Sequence, residues 1–277
     1  MSFVLACSSR VLGAKLEAAV EFAMDNGFEG IELNLDFARL PVAPQTLNRL
    51  KQKLGKFPFK IHAPTTDVEL GHKDLEVREA SLRYLQHYLN LISRIGGTHV
   101  TVHLAAKSII ETELSLDEAI QALSSLVRYG SKRGVTVCLE NLKHGWTTNP
   151  DLFNSILLQT GAAATIDIGH LRATPVIRDQ ILTPIQFLQL IKADILTAHV
   201  YEIETPDGIH QPPSDLANIK DILSFLANRG CKWFVIELSD CQSTLNTLDL
   251  LKQYRKEMEQ ERNSAIVGSH KKNKEEE

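Results

Sequence analysis

Val135-Thr136-Val137-Cys138-Leu139-Glu140 is the stretch on which the fold turns. It is rich in β-branched residues, and alternate side chains of a strand point to opposite faces. Val135, Val137 and Leu139 form one set; Thr136, Cys138 and Glu140 form the other. An aliphatic face backed by a mixed face that ends on a carboxylate suits a closed parallel barrel. The aliphatic set faces surrounding helices and the second set faces the interior. Glu140 then comes last, at the C-terminal end of the strand, where such barrels place their chemistry.

Outward from this run, now taken as Val135–Asn141, similar segments recur: Phe3–Cys7, Gly30–Leu35, Phe59–His62, His99–Leu104, Ala163–Ile168, Ile195–Tyr201 and Trp233–Leu238. They are spaced by roughly 25–40 residues, the length that a strand and its crossover helix need. Helical stripes such as Leu16-Ala19-Val20-Ala23 and Leu82-Leu85-Leu89-Ile92 lie between them. Several stripes stop on glycine: Asn26-Gly27, Gly96-Gly97, Arg133-Gly134 and Arg229-Gly230. Asn149-Pro150-Asp151 reads as a helix start with Asn149 as its cap. Eight strands alternating with helices predict an α/β fold, a single-domain (β/α)8 TIM barrel over residues 1–255. A doubly wound open sheet would carry Gly-x-Gly-x-x-Gly after the first strand, and that motif is missing. Residues 256–277 are charged, end in three glutamates and read as a disordered tail.

The 277 residues suit one barrel, which takes about 250. No apolar run of ~18 residues spans a membrane, and the N-terminus lacks the basic region of a signal peptide. Cys7, Cys138, Cys231 and Cys241 form no Cys-x-x-Cys pair, so a reduced, cytoplasmic setting is expected. A net charge of −4 and 6% aromatic residues argue against a generic nucleic-acid binder.

The parity test extends to the other strands. His103 shares parity with Thr101, Asp167 with Thr165, His199 with Thr197 and Glu237 with Val235. His62 ends the third strand on the parity of Lys60, and Glu32 and Asn34 oppose the aliphatic residues of the second. A lone carboxylate or imidazole in a barrel is usually a satisfied core group. Six converging on one mouth form a ligand set for a divalent ion such as Zn, Mn or Co, because unpaired they are costly to bury. Lys143 and Arg172 are candidate anion binders for a substrate, set against the plainer reading of solvated loop charges. Trp146 either stacks on a sugar face or covers the next helix. Cys138 reads as core, and His72, His87 and His144 as surface or loop residues.

The segments Ile61-His62-Ala63-Pro64, Val102-His103, Leu139-Glu140-Asn141, Asp167-Ile168-Gly169-His170, Ala198-His199 and Ile236-Glu237 carry a resemblance. In order and spacing, from the first strand to about Asp240, the chain resembles the xylose isomerase-like barrel superfamily, which includes sugar isomerases, epimerases and the endonuclease IV group. The resemblance implies Glu140, Asp167, His199 and Glu237 as metal ligands. It implies a second site at His62 and His103, as in the endonuclease group. His170 and His210 match third-metal positions there; in the mononuclear enzymes the residue like His170 touches substrate, and both are placed in the substrate-binding set. The multinuclear pattern has an Asp two residues before His210; here that residue is Gly208. A Gly-x-Gly common after this histidine in sugar isomerases is replaced by Pro212-Pro213-Ser214-Asp215.

The leading expectation is a metal-dependent isomerase or epimerase acting on a small sugar or sugar phosphate. Glu140 and Glu237 would exchange the proton alpha to a carbonyl, with the metal as Lewis acid. The alternatives are zinc-dependent phosphodiester cleavage of the endonuclease IV kind, under which DNA is the partner, a dehydroshikimate dehydratase-like lyase, and a non-catalytic binding or scaffold barrel. Against the endonuclease reading, Thr65-Thr66-Asp67 stands where that group carries a tyrosine and apolar residues, and no basic cluster is interleaved with aromatics. Lookalikes are commonly dimers or tetramers, so a homo-oligomer is expected.

Overall fold

The computed structural model describes residues 3–13, 15–35, 44–66, 68–104 and 111–275. The strands are β1 (Val4–Ser8), β2 (Gly30–Asn34), β3 (Phe59–His62), β4 (His99–Val102), β5 (Thr136–Glu140), β6 (Ala163–Asp167), β7 (Ile195–Val200), β8 (Ile203–Glu204), β9 (His210–Gln211) and β10 (Trp233–Ile236). Eight of them close into a barrel in the order β1-β10-β7-β6-β5-β4-β3-β2, and every neighbouring pair is parallel. The remaining two, β8 and β9, form an antiparallel hairpin in the connection from β7 to β10, pairing Glu204 with His210. The expected (β/α)8 barrel is therefore the fold observed.

The helices are α1 (Leu16–Asp25), α2 (Pro44–Leu54), α3 (Leu75–Ile95), α4 (Leu116–Ser131), α5 (Pro150–Thr160), α6 (Ile168–Ala173), α7 (Pro175–Arg178), α8 (Pro184–Leu190), α9 (Lys220–Asn228) and α10 (Cys241–Glu275). Local chemistry sets their ends. Asp74 caps α3 by accepting from the backbone of Glu76 and Val77, and Gly96 closes it in the left-handed conformation at φ 92°. Asn149 caps α5 by accepting from Leu152 N, with Pro150 at the first position, as the sequence predicts. Among the described residues no helix is long and apolar enough to cross a membrane.

The ends of two strands differ from the sequence expectation. The strands β4 and β10 stop at Val102 and Ile236, so His103 and Glu237 sit one residue beyond regular pairing. Their inward direction is inherited from the strand that precedes them. Over the charged segment that begins at residue 256, α10 runs on to Glu275. Its Glu, Lys, Gln and Arg residues favour helix, and no proline interrupts them.

Aliphatic strand faces pack outward: Val137, Leu139, Ile166, Ala198 and Val200 are all buried in the core. The opposite faces fill the interior with polar groups. Thr101 and Thr165 hydrogen-bond at 2.9 Å. Beside them Lys60 is buried, donating from Nζ to Leu196 O at 3.0 Å and Thr197 Oγ1 at 2.7 Å, 5.1 Å from the centre of the Trp233 ring. These groups close the interior below the C-terminal mouth, and the burial lowers the Lys60 pKa. Register then levels the mouth, placing Asp167 opposite His199 and Asn34 opposite His62.

Candidate metal centre

Glu140 stands at the centre of the mouth, at the end of β5. Its two oxygens face different neighbours. Oε2 lies 3.2 Å from His62 Nε2 and 3.0 Å from His103 Nε2. Oε1 lies 3.3 Å from His170 Nδ1 and 3.5 Å from His199 Nδ1. The carboxylate thus bridges two groups of potential ligands. One is His62, His103 and Glu140; beside it Asp167, His199 and Glu237 form a second, fully buried group. In each group the ligand atoms lie within 4.8 Å of one another.

Several rings present their nitrogens in a definite way. A carbonyl oxygen only accepts, so His62 Nδ1 carries the proton it shares with Ala63 O at 2.8 Å, and Nε2 faces Glu140. His210 Nδ1 likewise donates to Glu237 O at 2.7 Å. Behind His199, Nε2 lies 2.9 Å from Glu32 Oε1, which leaves Nδ1 facing Glu237, Glu140 and Asp167. Fixing one ring nitrogen to a rear carbonyl so that the other points into a site, as at His62 and His210, is how metal-binding histidines are oriented; at His199 the rear contact is an ion pair with Glu32.

The second group fits a divalent cation. Asp167 Oδ2 and His199 Nδ1 are buried without a hydrogen-bond partner and lie 3.7 Å apart. Buried polar atoms left in this way are costly, and an ion between them removes the cost. Carboxylates and imidazoles are the donor set for zinc and similar ions. The field has the matching sign. Burial opposes charging of His62, but hydrogen bonding and charge from Glu140, with Glu32 and Glu237, carry its pKa up to about 9. Burial is likewise overcome at Glu140, which His103 and His199 hold well below the usual carboxylate range. Glu237 is also held low, by His199 and Arg10.

Neighbouring residues set the scaffold. Asn141 Nδ2 donates to Asp167 O at 3.0 Å while Asp167 N donates to Asn141 Oδ1 at 2.9 Å, tying the ends of β5 and β6 together. Asp167 also caps α6 by accepting from His170 N at 2.7 Å. The Tyr201 ring stacks on His210, with centroids 3.8 Å apart and planes 3° apart. Gly169 makes room for that ring: a Cβ there would lie 1.9 Å from Tyr201 Cε2.

All the predicted ligands meet at the mouth. His170 and His210 form a further group with Glu204, whose Oε2 is 3.3 Å from His170 Nε2. Glu204 supplies a carboxylate that Gly208 does not. The three remaining substrate-contact candidates are otherwise engaged. Lys143 Nζ is held by Glu204 Oε2 at 3.0 Å and Thr205 O at 2.6 Å. Arg172 Nη1 is held by the Glu202 carboxylate and its carbonyl. Trp146 packs over Gly71, where a Cβ would lie 2.8 Å from its ring. Cys138 is buried, and that burial pushes its thiol up to about 11.

Four residues at the site were absent from the predicted set. Glu32 had a signal, its inward parity on β2. Glu204 had none in strand parity, because its partner lies across a hairpin. Tyr201 directly follows β7 on the inward parity of Thr197 and His199, whereas Arg10 lies in the turn after β1, where nothing in its spacing marks it. Arg10 Nη1 lies 3.2 Å from Glu237 Oε1.

A closed parallel barrel with buried carboxylates and imidazoles converging on its C-terminal mouth is a TIM barrel with a cluster of possible metal ligands where such barrels place their sites. Residues 20–261 match the xylose isomerase-like TIM barrel family, and the chain belongs to it. It is 32% identical over 194 residues to the uncharacterized protein MJ0008 of Methanocaldococcus jannaschii, covering 70% of this chain and 78% of that one. In structure it is similar to a D-tagatose 3-epimerase-like protein, with TM-score 0.74, 18% identity and coverage of 93% and 99% of the two chains. It is also similar to endonuclease IV from Thermus thermophilus, with TM-score 0.69, 18% identity and coverage of 92% and 99%. At such identities the likeness is one of fold. The family and these neighbours are mostly enzymes.

Proposed function

We propose that this chain is a metal-dependent enzyme whose centre holds at least two divalent ions, and that it hydrolyses a phosphoester. The division of Glu140 carries this reading, with Oε2 turned to His62 and His103 and Oε1 turned to His199 and His170. His62, His103 and Glu140 would hold one ion; Asp167, His199 and Glu237, with the other oxygen of Glu140, would hold the second. Bound divalent ions supply Lewis-acid polarisation, activation of water at neutral pH and stabilisation of charge on attacking and leaving oxygens. The protein's part is to position and to shield. Glu32 orients His199, Asn141 holds Asp167 in place, and the buried Lys60, Thr101 and Thr165 close the interior beneath the site. Glu140 is engaged by four imidazoles and Glu237 by His199 and Arg10, an arrangement of ligands rather than of free bases.

A second reading is the isomerase or epimerase expected from the sequence. What favours it is that Glu140 and Glu237 flank the same nitrogen, His199 Nδ1, at 3.5 and 3.1 Å. Two carboxylates around one ion position suit proton exchange beside a carbonyl. Metal analysis of protein purified without added metal, and again after loading with Zn, Mn or Co, separates the readings. Two or more ions per chain with cleavage of bis(p-nitrophenyl) phosphate is the expected result. One ion per chain with solvent-proton exchange into ketoses supports the second reading instead. Failure to bind any ion would sink both.

A further inference from the structure

We propose that Arg10 binds an anionic oxygen of the substrate, which on the hydrolytic reading is a phosphoryl oxygen. The inference rests on that reading for the choice of phosphoryl group and on geometry for the rest. Lys143 and Arg172, the cations that sequence position nominates, are taken up by Glu204 and Glu202. Arg10 is different. Its Nη1 contacts Glu237 Oε1 at 3.2 Å, and no other hydrogen bond of its guanidinium occurs among the described residues. A guanidinium has five N–H donors, so among the described residues most of the fork has no partner. The Arg10 side chain is 35% exposed while that of Glu237 is 3% exposed, so the group reaches from a buried ligand to the open mouth.

The seat of Arg10 is firm. Residues Ser9–Leu12 form a single 3-10 turn after β1, begun by Ser8 Oγ accepting from Arg10 N. Ser9 is buried, and its Oγ accepts from Asn34 N at 2.8 Å, which ties the turn to the end of β2. Glu237 presents Oε2 to His199 Nδ1 at 3.1 Å, so Arg10 leaves that oxygen free for an ion. The result is a fixed positive fork beside the candidate ligands, one edge on Glu237 and the other without a partner among the described residues. Planar bidentate donors of this kind match phosphoryl oxygens. A neutral sugar would leave that edge without a charged partner.

The test is equilibrium binding of inorganic phosphate to the full, metal-loaded chain, with ions counted on the same samples. Arg10→Ala is expected to weaken phosphate binding at least about tenfold, the scale of a lost charge-assisted bond. Arg10→Lys is expected to recover only part of it, because it keeps the charge without the fork. Ion content should be unchanged in both. Wild-type protein that binds no phosphate overturns the proposal, as does Arg10→Ala binding within about twofold of wild type. Loss of an ion from Arg10→Ala at unchanged phosphate affinity also overturns it, since Arg10 then only holds Glu237. The ion count of the wild-type chain judges the multinuclear reading separately; one ion per chain removes that reading and leaves the phosphate result standing.

Discussion

The two sides of the mouth are built differently. On the barrel side, Glu140, Asp167 and His199 are the last or next-to-last residues of neighbouring parallel strands, and Glu237 directly follows a fourth. All four are nearly inaccessible to solvent. On the hairpin side, Glu204 and His210 come from a two-residue antiparallel pair, with His170 on the short α6. That side is held by a clasp, in which Lys143 reaches from beyond β5 to Glu204 and Thr205 O and Tyr201 stacks on His210. Strands hydrogen-bonded on both edges hold a side chain closely, whereas a hairpin depends on a few side-chain contacts. The barrel side is thus the pre-set part of the mouth, and the hairpin side is the part in which this chain departs from the multinuclear pattern, with Glu204 offering a carboxylate where Gly208 has none.

The sharpest way to break this contrast is Glu140→Ala. It removes the one carboxylate shared by both ion positions, so ion content should collapse and affinity should fall by more than the ~10–100-fold typical of changes one shell out. Elemental analysis after Zn loading measures it; two ions retained at wild-type affinity would show that Glu140 bridges nothing. Next in size is Glu32→Gln. With the rear partner of His199 weakened, affinity for the ion at Asp167, His199 and Glu237 should drop about 10–100-fold, read by titration against a chelator. An unchanged affinity would leave Glu32 as no more than a buried neighbour. The smallest effect is expected from Glu204→Gln, which should leave the ions of the barrel side within about twofold of wild type while disturbing only what the hairpin holds. If it instead emptied the centre, the two sides would be a single unit.

Much of this was legible along the chain. The strand runs, their spacing and the glycine stops predicted the barrel, and parity alone turned Glu140, Asp167, His199 and Glu237 inward. Parity works because a strand has a period of two and one face is committed to aliphatic packing. It also marked Glu32, although only the 2.9 Å contact with His199 Nε2 shows what that carboxylate does. Arg10 and Glu204 were illegible for one shared reason: one lies in the turn after β1 and the other in a hairpin, where no period constrains direction.

Strand alternation and chain order were enough to say which residues face the barrel interior and at which end the candidate ligands gather. The tertiary structure decided the rest. Closure of the barrel brought β1 beside β10 and so set Arg10 against Glu237, two residues 227 positions apart. Hairpin pairing supplied Glu204 to His170 and His210. Side-chain reach engaged Lys143 and Arg172 with internal carboxylates. Such contacts depend on distances across the mouth, and those exist only once all eight strands have closed.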